Sequence, residues 1–163
     1  EAEVRRVIGK AEELGVGILL HAPHPAAGLG RRRWLNVWIR DRSPDWRISW
    51  DVGNLDLSIL TAYKLARNWD ARLRLVMVVE DPAERDAARH FLEDLTSLAR
   101  IPDADLVVGA GDFGRWVARA PQADLSVFGL VRDPDFALMR ALVEETSSTC
   151  LFVRDSGQES VLA

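Results

Sequence analysis

The sequence predicts a three-layer α/β sandwich with a mostly parallel β-sheet. From residue 54 onward, segments with helical periodicity alternate strictly with short apolar segments. Strands joined by helices of this length are expected to run parallel, with right-handed crossovers. The apolar segments are nearly continuous, as in residues 75–79, and this pattern is typical of strands that are covered on both faces.

The amino-terminal part is predicted to hold one helix and two strands. Apolar residues at helical spacing form one face of a helix over residues 3–14. This face consists of Val4, Val7, Ile8, Ala11 and Leu14. Strands are expected over residues 16–20 and 34–39. The connection between them has no helical pattern, which leaves this part of the sheet open to an antiparallel arrangement.

The remaining chain is predicted to contain four further helices and four further strands. Asn54 is a candidate N-cap, and Asp81 and Asp133 each stand before a proline in the order that favours a helix start. Three helices cover residues 55–69, 81–100 and 113–120, and a fourth begins at residue 133. The strands cover residues 72–79, 105–108, 125–130 and 150–153. In the helix over 81–100 the inward residues are Ala88, Phe91, Leu92, Leu95 and Leu98. In the helix from 133 they are Phe136, Met139, Leu142 and Val143. We expect at least four parallel strands, with residues 75–79 and 127–128 central and buried.

Bulk composition excludes several classes of protein. A length of 163 residues favours a single domain over residues 1–163. The net charge of −4 does not favour a nucleic-acid partner. One cysteine, Cys150, excludes a disulfide framework and fits a reducing compartment. The longest apolar run covers residues 16–20, whereas a membrane-spanning helix needs about 20 apolar residues. Because the chain opens at Glu1 directly in a helix, we expect a fragment of a larger protein.

A glycine-rich turn is the strongest cofactor candidate. Gly109, Gly111 and Gly114 match the G-x-G-x-x-G spacing of dinucleotide-binding proteins, after a predicted strand and before a predicted helix. The match lies late in the chain, however, and Asp112 would put a carboxylate among the amides that face a phosphate. A glycine-rich strand-to-helix turn with Asp112 as N-cap is therefore the favoured interpretation.

The sequence contains no complete catalytic or metal-binding set. His21 and His24 stand at the end of a strand, but a metal site needs three or four ligands and no acidic or cysteine partner is near. The segment 147–150 carries hydroxyl and thiol groups without a nucleophile elbow or a histidine partner. We therefore predict that the chain is not an enzyme.

Four residues are candidates for an interface with another protein or lobe. Trp46 and Trp50 lie in an arginine-rich loop, and tryptophans beside arginines are typical anchors at interfaces. Alternatively, Trp46 and Trp50 cover the sheet within the domain instead of contacting a partner. Leu57 and Leu60 fall on the otherwise polar side of the helix over residues 55–69, so a neighbour could cover them.

Several segments resemble one family of transport proteins. The segments are Gly-Asn-Leu-Asp-Leu at 53–57, Arg-Asn-Trp at 67–69, Arg-Leu-Arg at 72–74, and the carboxyl-terminal tail at 151–163. In the tail, a strand is followed by an arginine, a short polar turn and a few apolar residues. From about residue 15 to the end, the chain resembles the cytosolic C-terminal domain of cation–chloride cotransporters, especially bacterial members of the amino-acid-permease-like group.

This resemblance implies a fold like that of universal stress proteins and a place on the cytoplasmic side of the cell membrane. It implies roles in regulation and dimerisation, with the transmembrane part of the same polypeptide and a neighbouring cytosolic lobe as partners. The chain is similar to the second of two lobes and lacks the long insertion of eukaryotic relatives, so phosphorylation-type control on that insertion is in doubt.

Three hypotheses about function follow. The first is a regulatory and assembly domain of a cation–chloride cotransporter-like transporter, with no catalysis of its own. The second is an adenine-nucleotide sensor, because some relatives bind adenine nucleotides; its ligand would lie at the turns after Leu20, Val79 and Val108, and no nucleotide-contacting residue is carried over. The third is a nicotinamide-dependent enzyme that uses Gly109, Gly111 and Gly114.

Overall fold

The computed structural model describes residues 1–48 and 55–159. The helices are α1 (Ala2–Glu13), α2 (Leu55–Trp69), α3 (Arg85–Leu98), α4 (Phe113–Val117) and α5 (Phe136–Thr146). The strands are β1 (Ile18–Ala22), β2 (Trp34–Ile39), β3 (Arg72–Val79), β4 (Asp105–Ala110), β5 (Leu125–Gly129) and β6 (Thr149–Arg154).

The strands form one sheet in the order β1-β6-β5-β2-β3-β4. All neighbouring pairs from β6 to β4 are parallel, which confirms the predicted mostly parallel sheet. β1 is antiparallel, but it pairs with β6 rather than with β2, so that Ile18 stands opposite Arg154. After β4 the chain returns across the sheet to β5, which lies on the other side of β2.

Helices cover both faces of the sheet, as the sequence predicted. Residues of α2 and α3 pack with one face of β2 and β3 in the larger apolar core. The opposite face packs against Ile8 of α1, Val117 of α4 and Val143 of α5. The predicted centre is confirmed, because the residues of 75–79 and 127–128 are all buried.

Three predicted core residues are exposed instead. Leu98 is 52% exposed because it is the last residue of α3, where the chain leaves the sheet. Leu14 is 66% exposed because α1 ends before it and Leu14 is the C-cap, off the helical face. Val7 is also exposed, since the stripe of α1 that meets the core is narrower and centres on Val4 and Ile8.

Some boundaries differ from the prediction because local capping decides them. The helix predicted over residues 81–100 begins with a short 3-10 turn, Pro82–Glu84, which is capped by Asp81. The α-helix α3 follows this turn. The last helix begins after Asp135, whose carboxylate accepts hydrogen bonds from Ala137 and Leu138, rather than at Asp133. β1 begins and ends two residues later than predicted.

Asp124 fastens the end of the loop between β1 and β2 to the start of β5. Its Oδ1 accepts a hydrogen bond from the Arg31 backbone N–H at 2.8 Å, and its Oδ2 accepts from the N–H groups of Arg33 and Trp34 at 2.7 and 3.0 Å. Burial raises the pKa of this carboxyl, but the three backbone donors outweigh burial and hold the pKa below its usual range. Asp124 thus holds the end of the loop between β1 and β2, while the Thr149 hydroxyl holds its first part by accepting from the His24 N–H and donating to the Gly28 carbonyl oxygen.

Candidate functional site

Three distant segments of the chain meet where α2 begins. The Asp155 carboxylate, just after β6, accepts a hydrogen bond from the Leu57 backbone N–H at 3.3 Å. The first N–H groups of a helix have no partner within the helix, so Asp155 caps α2 from a distant part of the sequence. A Cβ at Gly17, just before β1, would stand 2.7 Å from Leu57 Cδ2 and 2.9 Å from Glu159 Oε1. We call Gly17, Leu57, Asp155, Ser156 and Glu159 the tail junction.

The tail itself is folded into a tight polar turn. Glu159 Oε2 accepts hydrogen bonds from the Ser156 backbone N–H at 2.8 Å and from the Ser156 hydroxyl at 2.7 Å. The Gln158 N–H donates to the Ser156 hydroxyl oxygen at 3.1 Å. These donors outweigh burial and hold the pKa of Glu159 below its usual range, so this carboxylate stays charged. The tail junction thus combines a capped helix, a strand start and a charged turn.

The pKa of the Asp155 carboxyl group is raised, unlike that of Glu159 in the same tail junction. Burial raises its pKa to about 6, and the nearby carboxylates of Asp56 and Glu159 act in the same direction. The backbone N–H groups of Leu57 and Asp56 oppose the rise without cancelling it. The carboxyl group of Asp155 therefore changes its charge between about pH 5 and pH 7.

We expect Asp155→Asn to stabilise the protein at pH 7.5 by about 1 kcal/mol, after allowance for solvent screening at a half-buried site. Because the folded-state pKa lies above the unfolded one, the stability of the wild type falls as pH rises from about 4 to about 6. The asparagine oxygen still accepts from Leu57 but carries no charge, so this part of the pH dependence disappears. Urea denaturation between pH 4.5 and 8 measures the difference.

Asp155→Ala is the matched control, because it removes the charge and the helix cap together. It should be less stable than Asp155→Asn at every pH, since the Leu57 N–H loses its acceptor. Parallel pH profiles for the wild type and Asp155→Asn would contradict the assignment of the pH dependence to this carboxyl group.

The chain can also be compared with known proteins. Residues 30–162 match the model of a family described as prokaryotic cation-chloride cotransporter, C-terminal domain, 2nd. The chain belongs to this family. The crystal structure of the cytoplasmic domain of a prokaryotic cation chloride cotransporter is 40% identical, with a TM-score of 0.89 over 99% of this chain. This chain spans 61% of the length of that one. The comparison with curated protein sequences gives no match.

The tail junction of this cotransporter-family domain joins two of the segments on which the resemblance rested. Leu57 belongs to the segment 53–57, and Asp155 belongs to the tail at 151–163. This contact between Leu57 and Asp155 was not predicted from the sequence. An acidic residue directly after a strand was the available signal, because the carboxyl ends of parallel strands lie beside the starts of helices. Of the tail at 151–163, residues 160–163 lie outside the described residues.

The predicted interface residues have contacts within the domain. Trp46 donates from Nε1 to Glu84 Oε2 at 2.8 Å, and its ring lies 6.1 Å from that of Phe91. Leu57 and Leu60 are partly buried against the larger core, so the expectation that they face outward is wrong. Gly17, just before β1, lies directly against the Leu57 side chain. Trp50 lies outside the described residues, and an interface at these four residues stays a prediction.

In the glycine-rich turn, Gly109 allows the ring of Trp116 to pack closely against the backbone. Gly109 faces the indole of Trp116, and Gly111 has a φ of +103°. Asp112 caps α4 by accepting from the Arg115 N–H at 2.8 Å, as the sequence predicted. The Trp116 ring fills the space beside Gly109, whereas a Cβ at Gly111 would meet no atom within 4 Å. Binding of a dinucleotide or of an adenine nucleotide stays an untested prediction.

The carboxyl edge of the sheet does not include every predicted turn. Because β1 is antiparallel, the turn that follows it lies beside the start of β6, at the opposite edge from the turn after Val79. The Nδ1 atom of His24 accepts from the backbone N–H groups of Ala26 and Ala27, which makes this loop a capped turn.

The described residues contain neither a metal-binding cluster nor a helix that could span a membrane. In residues 1–48 and 55–159 no three His, Cys, Asp or Glu side chains are arranged to hold a metal ion. Over the same residues, no helix combines the length and apolar character needed to cross a bilayer.

Proposed function

We propose that this chain is a cytoplasmic regulatory and assembly lobe of a prokaryotic cation–chloride cotransporter. The family match over residues 30–162 carries the proposal. The solved relative, a cytoplasmic domain, is longer than this chain and leaves room for a neighbouring lobe. The lobe lies on the cytoplasmic side of the membrane and joins a transmembrane part of the same polypeptide. It also packs against a second copy of the chain.

The lobe acts mechanically and catalyses no reaction of its own. Its packing against a neighbour biases the attached transporter, and any signal works by favouring one packing over another. The chemistry of the sole cysteine supports this view, because burial raises the pKa of the Cys150 thiol to about 11 and keeps it from acting as a thiolate nucleophile.

An apolar turn between α1 and β1 is the proposed contact with a neighbour. It consists of Leu14 and Val16, both exposed, and we call it the amino-terminal patch. Leu19 of β1 is also exposed, but it faces the side of the sheet opposite to α1 and is not part of the patch. The patch precedes the family-matched residues 30–162.

We expect Leu14→Glu/Val16→Glu to weaken self-association of the chain by at least tenfold. A contact of ordinary size would bury about 800 Å² on each side, and two buried carboxylates without partners oppose it. Sedimentation equilibrium over a range of concentrations measures the effect. Leu98→Glu is the control, since Leu98 is equally apolar and exposed but lies on α3. If the wild type stays monomeric, or if both variants associate like the wild type, a second copy does not bind at the amino-terminal patch.

A further inference from the structure

The amino-terminal ends of β2 and β3 carry a band of arginines. Two segments of the chain meet there, because the Arg72 N–H donates to the Arg33 carbonyl oxygen at 2.8 Å and Trp34 stands opposite Arg72 in the strand register. Arg67 lies in the last turn of α2, which ends just before β3 begins. We call this surface the arginine band, and it consists of Arg31, Arg32, Arg33, Arg67, Arg72 and Arg74.

Positive charge prevails in the arginine band. The carboxylates around it are fewer than the arginines, and two of them are occupied: Asp105 pairs with Arg72 at 2.9 Å, and Asp124 accepts from backbone N–H groups. The other acids beside the band are Asp70 and Asp103. Four exposed arginines form no salt bridge within residues 1–48 and 55–159, and these are Arg31, Arg32, Arg33 and Arg67. Their charge is available to a partner outside the domain.

Two tryptophans lie among these guanidinium groups. The guanidinium carbons of Arg74 and Arg72 lie 3.5 and 4.7 Å from the ring centre of Trp34. The guanidinium carbon of Arg32 lies 5.6 Å from the ring centre of Trp69, and both indole rings are partly exposed. The face of an indole attracts a guanidinium group and holds it in place. The band therefore presents positioned charges beside aromatic rings.

The opposite edge of the sheet is acidic. Each of the five parallel strands, β2 to β6, is soon followed by an aspartate that caps a helix or holds a turn. These aspartates are Asp41, Asp81, Asp112, Asp135 and Asp155. The charge is thus unevenly distributed along the strands, although the net charge is only −4. A negatively charged surface would attract the amino-terminal edge and repel the other edge.

The chemistry of the band suits the surface of an anionic bilayer. Anionic lipids give the cytoplasmic leaflet a negative potential, and each arginine near it raises the affinity about fivefold. Tryptophan suits the same place, because its amphipathic ring settles at the level of the headgroups. The acidic net charge of the chain disfavours the other common polyanion, a nucleic acid.

We propose that the arginine band binds the anionic lipid surface of the membrane. This inference rests on the proposed place of the lobe on the cytoplasmic side, beside a transmembrane part of the same polypeptide. The band and the amino-terminal patch lie at opposite edges of the sheet, because β1 is antiparallel and starts beside the end of β6. The lobe can therefore contact the bilayer and a neighbouring lobe at the same time.

Co-sedimentation of the full chain with sucrose-loaded vesicles tests the proposal. Vesicles of about 30% phosphatidylglycerol in phosphatidylcholine should bind half of the chain at about 1 mM accessible lipid and about 0.1 M salt. Vesicles of pure phosphatidylcholine should bind it at least tenfold more weakly. Binding to the anionic vesicles should be lost at about 1 M salt, where the Debye length is only about 3 Å. Soluble glycerol phosphate at the same phosphate concentration should not displace the chain, because the charges of the band are spread over a surface.

Two triple variants separate the band from the overall charge. Arg31→Gln/Arg32→Gln/Arg33→Gln should weaken binding to the anionic vesicles at least tenfold. The three side chains are exposed, and the hydrogen bonds to Asp124 come from the backbone, so the fold is retained. The control removes the same charge from exposed positions on α3 and α4 and should bind as the wild type does; it is Arg85→Gln/Arg89→Gln/Arg115→Gln.

Several outcomes would overturn membrane binding by the band. They are equal binding to anionic and neutral vesicles, equal loss of affinity in both triple variants, unchanged binding by the first triple variant, and displacement by glycerol phosphate. Equal affinity for a DNA duplex of random sequence at the same salt would assign the band to nucleic acids and would also overturn the proposal. Self-association through the amino-terminal patch needs no lipid, so failure of the proposed function is measured separately.

Discussion

Replacing Gly109 by alanine is expected to lower the free energy of unfolding by about 1–3 kcal/mol. A Cβ at this position would stand 2.6 Å from Cδ2 of Trp116 and closer still to Nε1 and Cε2 of the same ring. Favourable contacts between carbon atoms lie at about 3.5–4.0 Å, so the indole must move. Its displacement would also disturb the edge contact with Trp38.

Gly114→Ala is the control within the same glycine-rich turn. Gly114 lies in α4, and the nearest atom to an added Cβ would be Asp112 Oδ1 at 3.6 Å, an ordinary contact. Alanine should therefore be neutral or stabilise the protein by about 0.5–1 kcal/mol. Urea denaturation of the two variants compares them directly. Equal stability of Gly109→Ala and the wild type would contradict the packing role of Gly109.

Asp124→Ala is expected to cost about 2–3 kcal/mol, because three backbone N–H groups lose their acceptor at once. The folded-state pKa of Asp124 is depressed, so its contribution is present above about pH 4 and is lost as pH falls through the folded pKa. The gap between wild type and variant should thus narrow on acidification, as thermal denaturation at pH 3 and pH 7 measures.

Asp135→Ala offers a control of the same chemistry. Asp135 also accepts two backbone hydrogen bonds but sits at an exposed helix start, so its loss should cost about 1 kcal/mol. If Asp124→Ala costs no more than Asp135→Ala at pH 7, Asp124 does not hold the loop between β1 and β2.

Local signals were enough to predict the central elements of the fold. The bounds of β2, α2 and β3 agree with the prediction, because apolar runs and helical periodicity mark them clearly. The pairing of β1 with β6 could not be predicted, since it joins residues 18–22 to 149–154 and depends on contacts between distant segments.

The functional features were harder to predict for the same reason. Periodicity placed Leu57 on the outer side of α2, but Gly17 before β1 lies against its side chain, and a helical pattern contains no information about such a distant segment. The capping of α2 by Asp155 and the meeting of Arg33 with Arg72 in the arginine band likewise arise from tertiary structure. The family resemblance could be recognised from the sequence, because it rests on the order of short segments along the chain.

The central claim is that this lobe regulates the attached transporter through contacts at its surface. The most direct measurement is chloride-dependent cation flux through the full-length transporter in proteoliposomes, at equal protein content. We expect Leu14→Glu/Val16→Glu to change the flux at least threefold and Leu98→Glu to leave it unchanged. Unchanged flux both in the Leu14→Glu/Val16→Glu variant and in a transporter that lacks the lobe would contradict the claim.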